Sequence, residues 1–124
     1  YSADPGEVKP LHSSAIGKAI LGALPQDELE GLLQQLDLPR VTKHTLTTAN
    51  RLAKDIAAGR KRGYFVTHGE NVADVMAVST SLALNDEPYG IAIAGPIQRM
   101  EPMLTEHGAR LAKIRKALAE ATSP

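Results

Sequence analysis

Apolar positions along the chain follow two different periods, and the change between them divides the sequence. Before Gly63 and after Glu101, leucines and isoleucines recur every three or four residues, as they do in amphipathic helices. Between Val72 and Ile97, β-branched and small residues alternate, which is typical of strands. Together with a short threonine-rich strand at residues 42–47, the pattern predicts the order helix, helix, strand, helix, strand, strand, helix. This is an α+β arrangement.

Residues at the predicted helix ends support these boundaries. A side-chain hydroxyl favours a helix N-cap, proline suits the first helical position, and glycine favours the C-terminal stop. The helices are therefore predicted over 14–23 with Ser13 or Ser14 as cap, from Pro25 to a stop at Pro39, from a cap at Thr47 or Thr48 to Gly63, and over 101–121. The last helix has the apolar stripe Leu104, Leu111, Ile114 and Leu118.

The two long predicted strands, residues 72–84 and 89–97, join through a hairpin turn at residues 85–88. Alternation gives them one bulky face and one small face. The bulky face carries Met76, Val78, Thr80, Leu82, Ile91 and Ile93. The small face carries Val75, Ala77, Ser79, Ser81, Ala92 and Ala94. We expect the helices on the bulky face, and on the small face a gap filled by close helix packing, by water or by a ligand.

Composition indicates one small domain with no net charge, and so with little long-range electrostatic attraction for a charged partner. The chain has 124 residues, 43% hydrophobic and 23% charged, and its 14 basic side chains balance 14 acidic ones. This balance predicts that the chain by itself is a poor DNA binder. The absence of cysteine excludes a disulfide framework and a thiolate metal site. No apolar run approaches the length of a membrane span, so we expect a cytoplasmic protein without membrane contact.

Motifs for common enzyme classes are absent from the sequence. There is no Gly-x-Ser-x-Gly elbow, no phosphate-binding loop and no Gly-x-Gly-x-x-Gly. The histidines show no metal-ligand spacing, at His12, His44, His68 and His107, so no metal or cofactor is expected. Two alternatives stay open: a small enzyme that uses His12 and Ser14 on a carboxylate substrate, and a role of His68 with Glu70 in binding a metal or closing over a ligand.

The start of the first predicted helix combines hydroxyl residues, a glycine and a long apolar run over residues 10–21. If Ser13 or Ser14 caps this helix, the free N–H groups of its first turn form a partly positive concavity. Such a concavity suits a carboxylate or a phosphate. An ordinary capped core helix is the alternative.

Five segments in order resemble the C-terminal, effector-binding domain of the IclR family of bacterial transcriptional regulators. They are residues 10–24 with a Leu-His-x-x-x-x-Gly-Lys-Ala run, 25–29 at the start of the next helix, 42–47 as the threonine-rich strand, 60–64 as the helix-to-strand junction, and 91–96 as the last strand. The resemblance covers residues 10–121. It implies a GAF-like (profilin-like) fold, in which helices pack on an antiparallel sheet.

The resemblance also implies a pocket for a small organic acid on the sheet. The acid's carboxylate would face the backbone of Ser14, Ala15 and Ile16, and the other walls would come from Thr67, Ala77, Ala92 and Ala94. Several family members have an acidic residue, a cysteine and two serines at these four wall positions. The loss of polar donors here predicts a larger or more apolar acid than the smallest keto acids, such as an aromatic acid. The departure also leaves open that no effector binds.

The resemblance also has implications for binding partners and for segments of the family's proteins that this sequence lacks. The family's effector domain normally follows a helix-turn-helix domain and begins with further strands, which this sequence lacks. We therefore expect residues 1–9 to be a flexible arm or trimmed connection, and residues 10–124 to be an effector-binding domain truncated at its N-terminal strands. DNA would be contacted only through the absent domain. The effector would change the geometry of a homodimer or tetramer, and an open sheet edge predicts association.

Overall fold

Three antiparallel strands and five helices make up residues 11–121, the part of the chain that this computed structural model describes. The elements are α1 (Ala15–Ala23), α2 (Gln26–Gln35), α3 (Ala49–Arg62), β1 (Phe65–His68), β2 (Val75–Leu84), β3 (Glu87–Pro96), α4 (Ile97–Met100), a 3₁₀ turn (Glu101–Met103) and α5 (Leu104–Ala121). The predicted α+β class is confirmed. The arm predicted over residues 1–9 lies outside the described residues.

The sheet has the order β1-β2-β3, with β2 in the centre. Asn85 and Asp86 connect β2 to β3 with positive φ angles of 53° and 64°, the pattern of a two-residue hairpin turn of type I′. This turn is tighter than predicted, because Glu87 and Pro88 already belong to β3. The tight turn sets a register in which each residue of β2 faces one residue of β3 along ten pairs.

Helices cover both faces of the sheet, although the sequence predicted them on the bulky face. The bulky face packs against α4 and α5 in a cluster of Met76, Val78, Met100 and Leu111. The small face receives α1, with α2 and α3 behind it, around Ala19, Leu21, Leu29, Leu33, Leu52, Ile56 and Phe65. Small side chains permit this approach, since the Ser79 hydroxyl donates a hydrogen bond to the Ala15 carbonyl of α1. Close helix packing therefore fills part of the small face.

Residues 42–47 form a loop, so the predicted threonine-rich strand is wrong. The Thr42 hydroxyl donates to the Gly69 carbonyl, and the Thr45 hydroxyl donates to the Glu70 carbonyl at 2.7 Å while it accepts from the Thr42 amide. These side-chain bonds to backbone replace the ladder bonds that a strand would need. The third strand of the sheet instead follows α3, as β1.

Most predicted helix ends are confirmed. Ser14 is the N-cap of α1, Thr48 is the N-cap of α3, and Gly63 ends α3 with a φ of 93°, a left-handed conformation that glycine adopts readily. Helix α2 ends at Gln35, earlier than the predicted stop at Pro39, because the backbone becomes extended at the next residue.

The apolar stripe of α5 is covered only in its first half. Leu111 is fully buried against the sheet, whereas Ile114 and Leu118 are 38% and 36% exposed. Within residues 11–121, no helix has both the length and the apolar character needed to cross a bilayer.

The only phenylalanine of the chain, Phe65, fixes how closely α1 and α3 approach β1. Its ring lies against Gly22 of α1 and Gly59 of α3, and a Cβ atom at either glycine would overlap the ring. Both helices therefore need glycine at this contact. In contrast, a Cβ atom at Gly31 on the exposed side of α2 would meet no atom within 4 Å.

Replacing Gly59 by alanine should therefore destabilise the domain. Overpacking costs about 1–3 kcal/mol, which exceeds a gain of about 1 kcal/mol in helix propensity. The matched variant Gly31→Ala should gain up to about 1 kcal/mol, because it adds propensity without a clash. Urea denaturation measures both variants, and a Gly59→Ala protein as stable as Gly31→Ala would contradict this packing.

Candidate functional site

A cavity of about 150 Å³ lies between the N-terminus of α1 and the small face of the sheet. The seven residues that the sequence analysis selected all border it: Ser14, Ala15, Ile16, Thr67, Ala77, Ala92 and Ala94. The structure adds three further lining residues, Asn71, Val72 and Val75. The tertiary fold thus brings together residues that are up to 80 positions apart, from Ser14 to Ala94.

Strand register explains the sheet side of this cavity. Thr67 of β1 pairs with Ala77 of β2, and Ala77 pairs with Ala94 of β3, so the three side chains form a row on one face. Ala92 occupies the same face two residues earlier on β3. Methyl groups at three of these four positions leave a space that larger side chains would fill.

The first turn of α1 forms the other side of the cavity. Ser14 has an extended backbone, and its Oγ accepts a hydrogen bond from the Gly17 amide at 3.0 Å. The amides of Ala15 and Ile16 belong to the first turn, where no acceptor exists within the helix. The cavity therefore has the partly positive end of a helix at one edge.

Glycine at position 17 is required for this geometry. A Cβ atom there would lie 2.6 Å from both the Cα and the carbonyl oxygen of Leu11, because the chain before α1 folds back over the first turn. Such a separation is well below van der Waals contact. The Gly-Lys pair of the sequence motif thus has a steric role at Gly17.

Polar side chains around the cavity are few. Thr67 is buried, with 4% of its surface exposed, and Asn71 lies in the loop between β1 and β2. The Ser13 hydroxyl donates to Asn71 Oδ1 at 3.2 Å, which leaves the Nδ2 group of Asn71 as a donor. The cavity is therefore mainly apolar, with hydrogen-bond donors at one end.

His12 and Ser14 do not form the pair that an enzyme would need. His12 is buried, and its Nε2 lies 2.8 Å from the carbonyl oxygen of Pro39. The Ser14 hydroxyl is engaged as the helix cap, with the Gly17 amide as donor. Neither side chain is therefore arranged to activate the other as a nucleophile.

His68 and Glu70 likewise point to different partners. His68 Nε2 lies 3.6 Å from the Glu101 carboxylate, whereas the Glu70 carboxylate contacts the ammonium of Lys18. No group of three or more histidine and acidic side chains in residues 11–121 could hold a metal ion. The side chains of His68 and Glu70 therefore contact different charged partners.

Comparison with known proteins assigns this architecture. The family model described as "Bacterial transcriptional regulator IclR C-terminal" matches residues 1–123. The chain belongs to the IclR family. The transcriptional repressor IclR of Escherichia coli K12 is 34% identical over 118 residues, which cover 93% of this chain and 43% of the repressor.

Solved structures share this fold. The crystal structure of the Thermotoga maritima IclR has a TM-score of 0.82 at 26% identity, over 98% of this chain and 52% of that one. The inducer-binding domain of PobR from Acinetobacter, a double mutant in complex with 3-hydroxybenzoic acid, has a TM-score of 0.77 at 18% identity, over 89% of this chain and 65% of that one. The second likeness shows the fold alone.

These relatives decide the class of protein. Curated IclR-family relatives are named as transcriptional regulators and repressors, so the chain is a C-terminal regulatory domain and not an enzyme. The alternative of a carboxylate-processing enzyme is wrong. The chain spans less than half of the repressor's length.

Three lining residues of this IclR-family domain were missed by sequence reasoning. Val75 follows the same alternation as Ala77 and could have been found from it. Asn71 and Val72 lie in an irregular loop without a motif, and tertiary contacts set the path of that loop. The sequence carried no signal for these two residues.

Removing the cap of α1 should affect stability more than removing the cap of α3. Ser14 is buried and bonds at 3.0 Å, whereas Thr48 is exposed and bonds at 3.3 Å, so water replaces the lost bond only at Thr48. We expect Ser14→Ala to lower the free energy of unfolding by about 1–2 kcal/mol, and Thr48→Ala by about 0.5–1 kcal/mol. Urea denaturation distinguishes them, and equal losses would contradict the buried cap.

Proposed function

We propose that this regulatory domain senses a small organic acid, and that it prefers an acid of benzoate size to the smallest keto acids. One observation carries the proposal: the positive end of α1 and a methyl-lined wall of the sheet border the same cavity. A carboxylate needs the first feature, and an apolar ring or chain fits the second.

The carboxylate would lie at the first turn of α1. Amides of Ala15 and Ile16 supply N–H donors, and the helix dipole adds about 0.3–1 kcal/mol for a negative charge, up to about 2 kcal/mol when partly buried. Hydrogen bonds to a charged group are about twice as strong as neutral ones. Asn71 Nδ2 is a further donor at the same cavity.

The remainder of the acid would contact the alanine wall. A hydroxyl or keto group placed against Ala77, Ala92 and Ala94 would lose its bonds to water without replacement. An apolar cavity of about 150 Å³ can hold a benzene ring, and this cavity has that size. The PobR domain with 3-hydroxybenzoic acid supports the proposal, because it shows an aromatic acid in complex with a protein of this fold.

Ligand binding would act on DNA through the geometry of an oligomer. The helix-turn-helix that contacts DNA would belong to the remainder of the regulator, since this chain matches the C-terminal model. A ligand can shift such an equilibrium only by its difference in affinity for the two states. In the described residues β3 has a neighbour on one side alone, and this open edge supports a dimer or tetramer.

Binding of a panel of acids tests the proposed ligand class. By calorimetry, benzoate should bind more tightly than pyruvate and glyoxylate. The alanine wall buries the apolar surface of a ring favourably, whereas it leaves polar groups of a ligand without hydrogen bonds. Benzamide, which has the same ring without the charge, should bind more weakly than benzoate. Tighter binding of glyoxylate than of benzoate would contradict the proposed class.

A variant pair tests whether this cavity is the binding site. Ala77→Val adds two methyl groups to the wall, and we expect benzoate affinity to fall by about tenfold or more. Ala83→Val makes the same change on the same strand, outside the cavity, and should bind like the wild type. Equal affinities of the two variants would place the acid elsewhere.

Sedimentation tests the proposed association. The wild-type domain should sediment as a dimer or larger species at high micromolar concentration. Tyr89→Lys places a charge at an exposed position of β3 and should shift the equilibrium towards monomer, because charged side chains on an open edge oppose pairing with another strand. A monodisperse wild-type monomer would contradict association.

A further inference from the structure

Lys18 is the only lysine among the largest fully buried side chains of the described chain, and it does not border the cavity. Its Nζ donates to the Val66 carbonyl of β1 at 2.9 Å. The same atom lies 2.6 Å from Asp55 Oδ2 of α3 and 2.6 Å from Glu70 Oε2 in the loop after β1. The ammonium therefore has one hydrogen bond to a backbone carbonyl and two ion pairs with carboxylates.

The two carboxylate oxygens depend on this ammonium. Asp55 Oδ2 and Glu70 Oε2 are both buried, and in residues 11–121 neither has a hydrogen-bond partner apart from the ion pair with Lys18. Buried ion pairs contribute little net stability, because desolvation offsets their attraction, but their geometry is demanding. The pair therefore fixes the Glu70 carboxylate relative to Lys18 of α1.

Glu70 belongs to the loop of residues 69–74, which supplies the cavity walls Asn71 and Val72. The outer part of this loop is exposed, with Val72 at 38% exposure, whereas Glu70 points inward at 9%. The Glu70 carboxylate therefore connects the buried side of the loop to α1 through its ion pair with Lys18. The backbone of the loop is held as well, by the hydroxyls of Thr42 and Thr45.

We propose that Lys18 is a positioning residue for the ligand cavity: through its ion pair with Glu70 it sets the place of the loop that carries Asn71 and Val72. The ligand part of this inference rests on the function proposed above. Lys18 touches no ligand in this scheme. Its other ion pair, with Asp55, holds α3 and does not reach the cavity lining.

This difference between the two carboxylates provides a matched experiment. Glu70→Gln and Asp55→Asn each remove one charge that lies 2.6 Å from the same Nζ, with little change in side-chain shape. If Lys18 positions the loop, Glu70→Gln should increase amide hydrogen exchange over residues 69–72 about tenfold and weaken benzoate binding about tenfold, since charge-assisted bonds are the stronger ones. Asp55→Asn should leave both measurements within about twofold of the wild type, because Asp55 lies in α3 and borders neither the loop nor the cavity.

Comparable changes in the two variants would overturn the inference, because Lys18 would then have a general structural role. Unchanged exchange in Glu70→Gln would overturn it as well. Should Glu70→Gln fail to fold, the pair Glu70→Asp and Asp55→Glu keeps the charges and alters only side-chain length. The same contrast in loop exchange is then expected, and its absence would count against the inference.

Amide hydrogen exchange of residues 69–72, measured without ligand, tests the positioning role of Lys18 independently of the proposed ligand class. If the wild type does not bind benzoate but the exchange contrast holds, the proposed ligand class fails and the positioning role stands. If the wild type binds benzoate while the two variants show equal exchange and equal affinity, the positioning role fails and the ligand class stands.

Discussion

The close approach of α1 to β2 is the contact on which the rest of this domain depends. The Ser79 hydroxyl reaches the Ala15 carbonyl, so the first turn of the helix lies directly on the sheet. At the other end of α1, the Arg60 guanidinium of α3 donates to the carbonyls of Gly22 and Leu24. The buried ammonium of Lys18 ties the middle of the helix to β1 and α3. Once α1 is held in this way, its N-terminus can face only the strip of sheet beside it.

The cavity is the part of the small face that α1 does not fill. Its walls are methyl groups because the strand register aligns alanines of β2 and β3, and its positive end is the first turn of the same helix. Close packing and a ligand gap were alternatives from the sequence, and the structure contains both on one face. Packing occupies the region near Ser79 and Phe65, and the gap begins at Ala77.

Sequence periodicity predicted the elements well where signals were local. The cap at Ser14, the glycine stop at Gly63 and the alternation of β2 depend on residues within a few positions of one another. The strand predicted at residues 42–47 failed because its threonine hydroxyls bond to a distant loop, at Gly69 and Glu70. Local β propensity carried no information about that loop.

By itself, the sequence determined the α+β class, the caps of α1 and α3 to within one residue, the two faces of the hairpin and, through family resemblance, the seven residues around the cavity. Only the tertiary structure decided that α1 covers the small face, that Asn71 and Val72 complete the cavity, and that Lys18 is buried between two carboxylates. The physical reason is the distance along the sequence between the residues that interact. Caps and alternation arise from neighbouring residues, whereas burial of a charge depends on partners that only folding brings within hydrogen-bond distance.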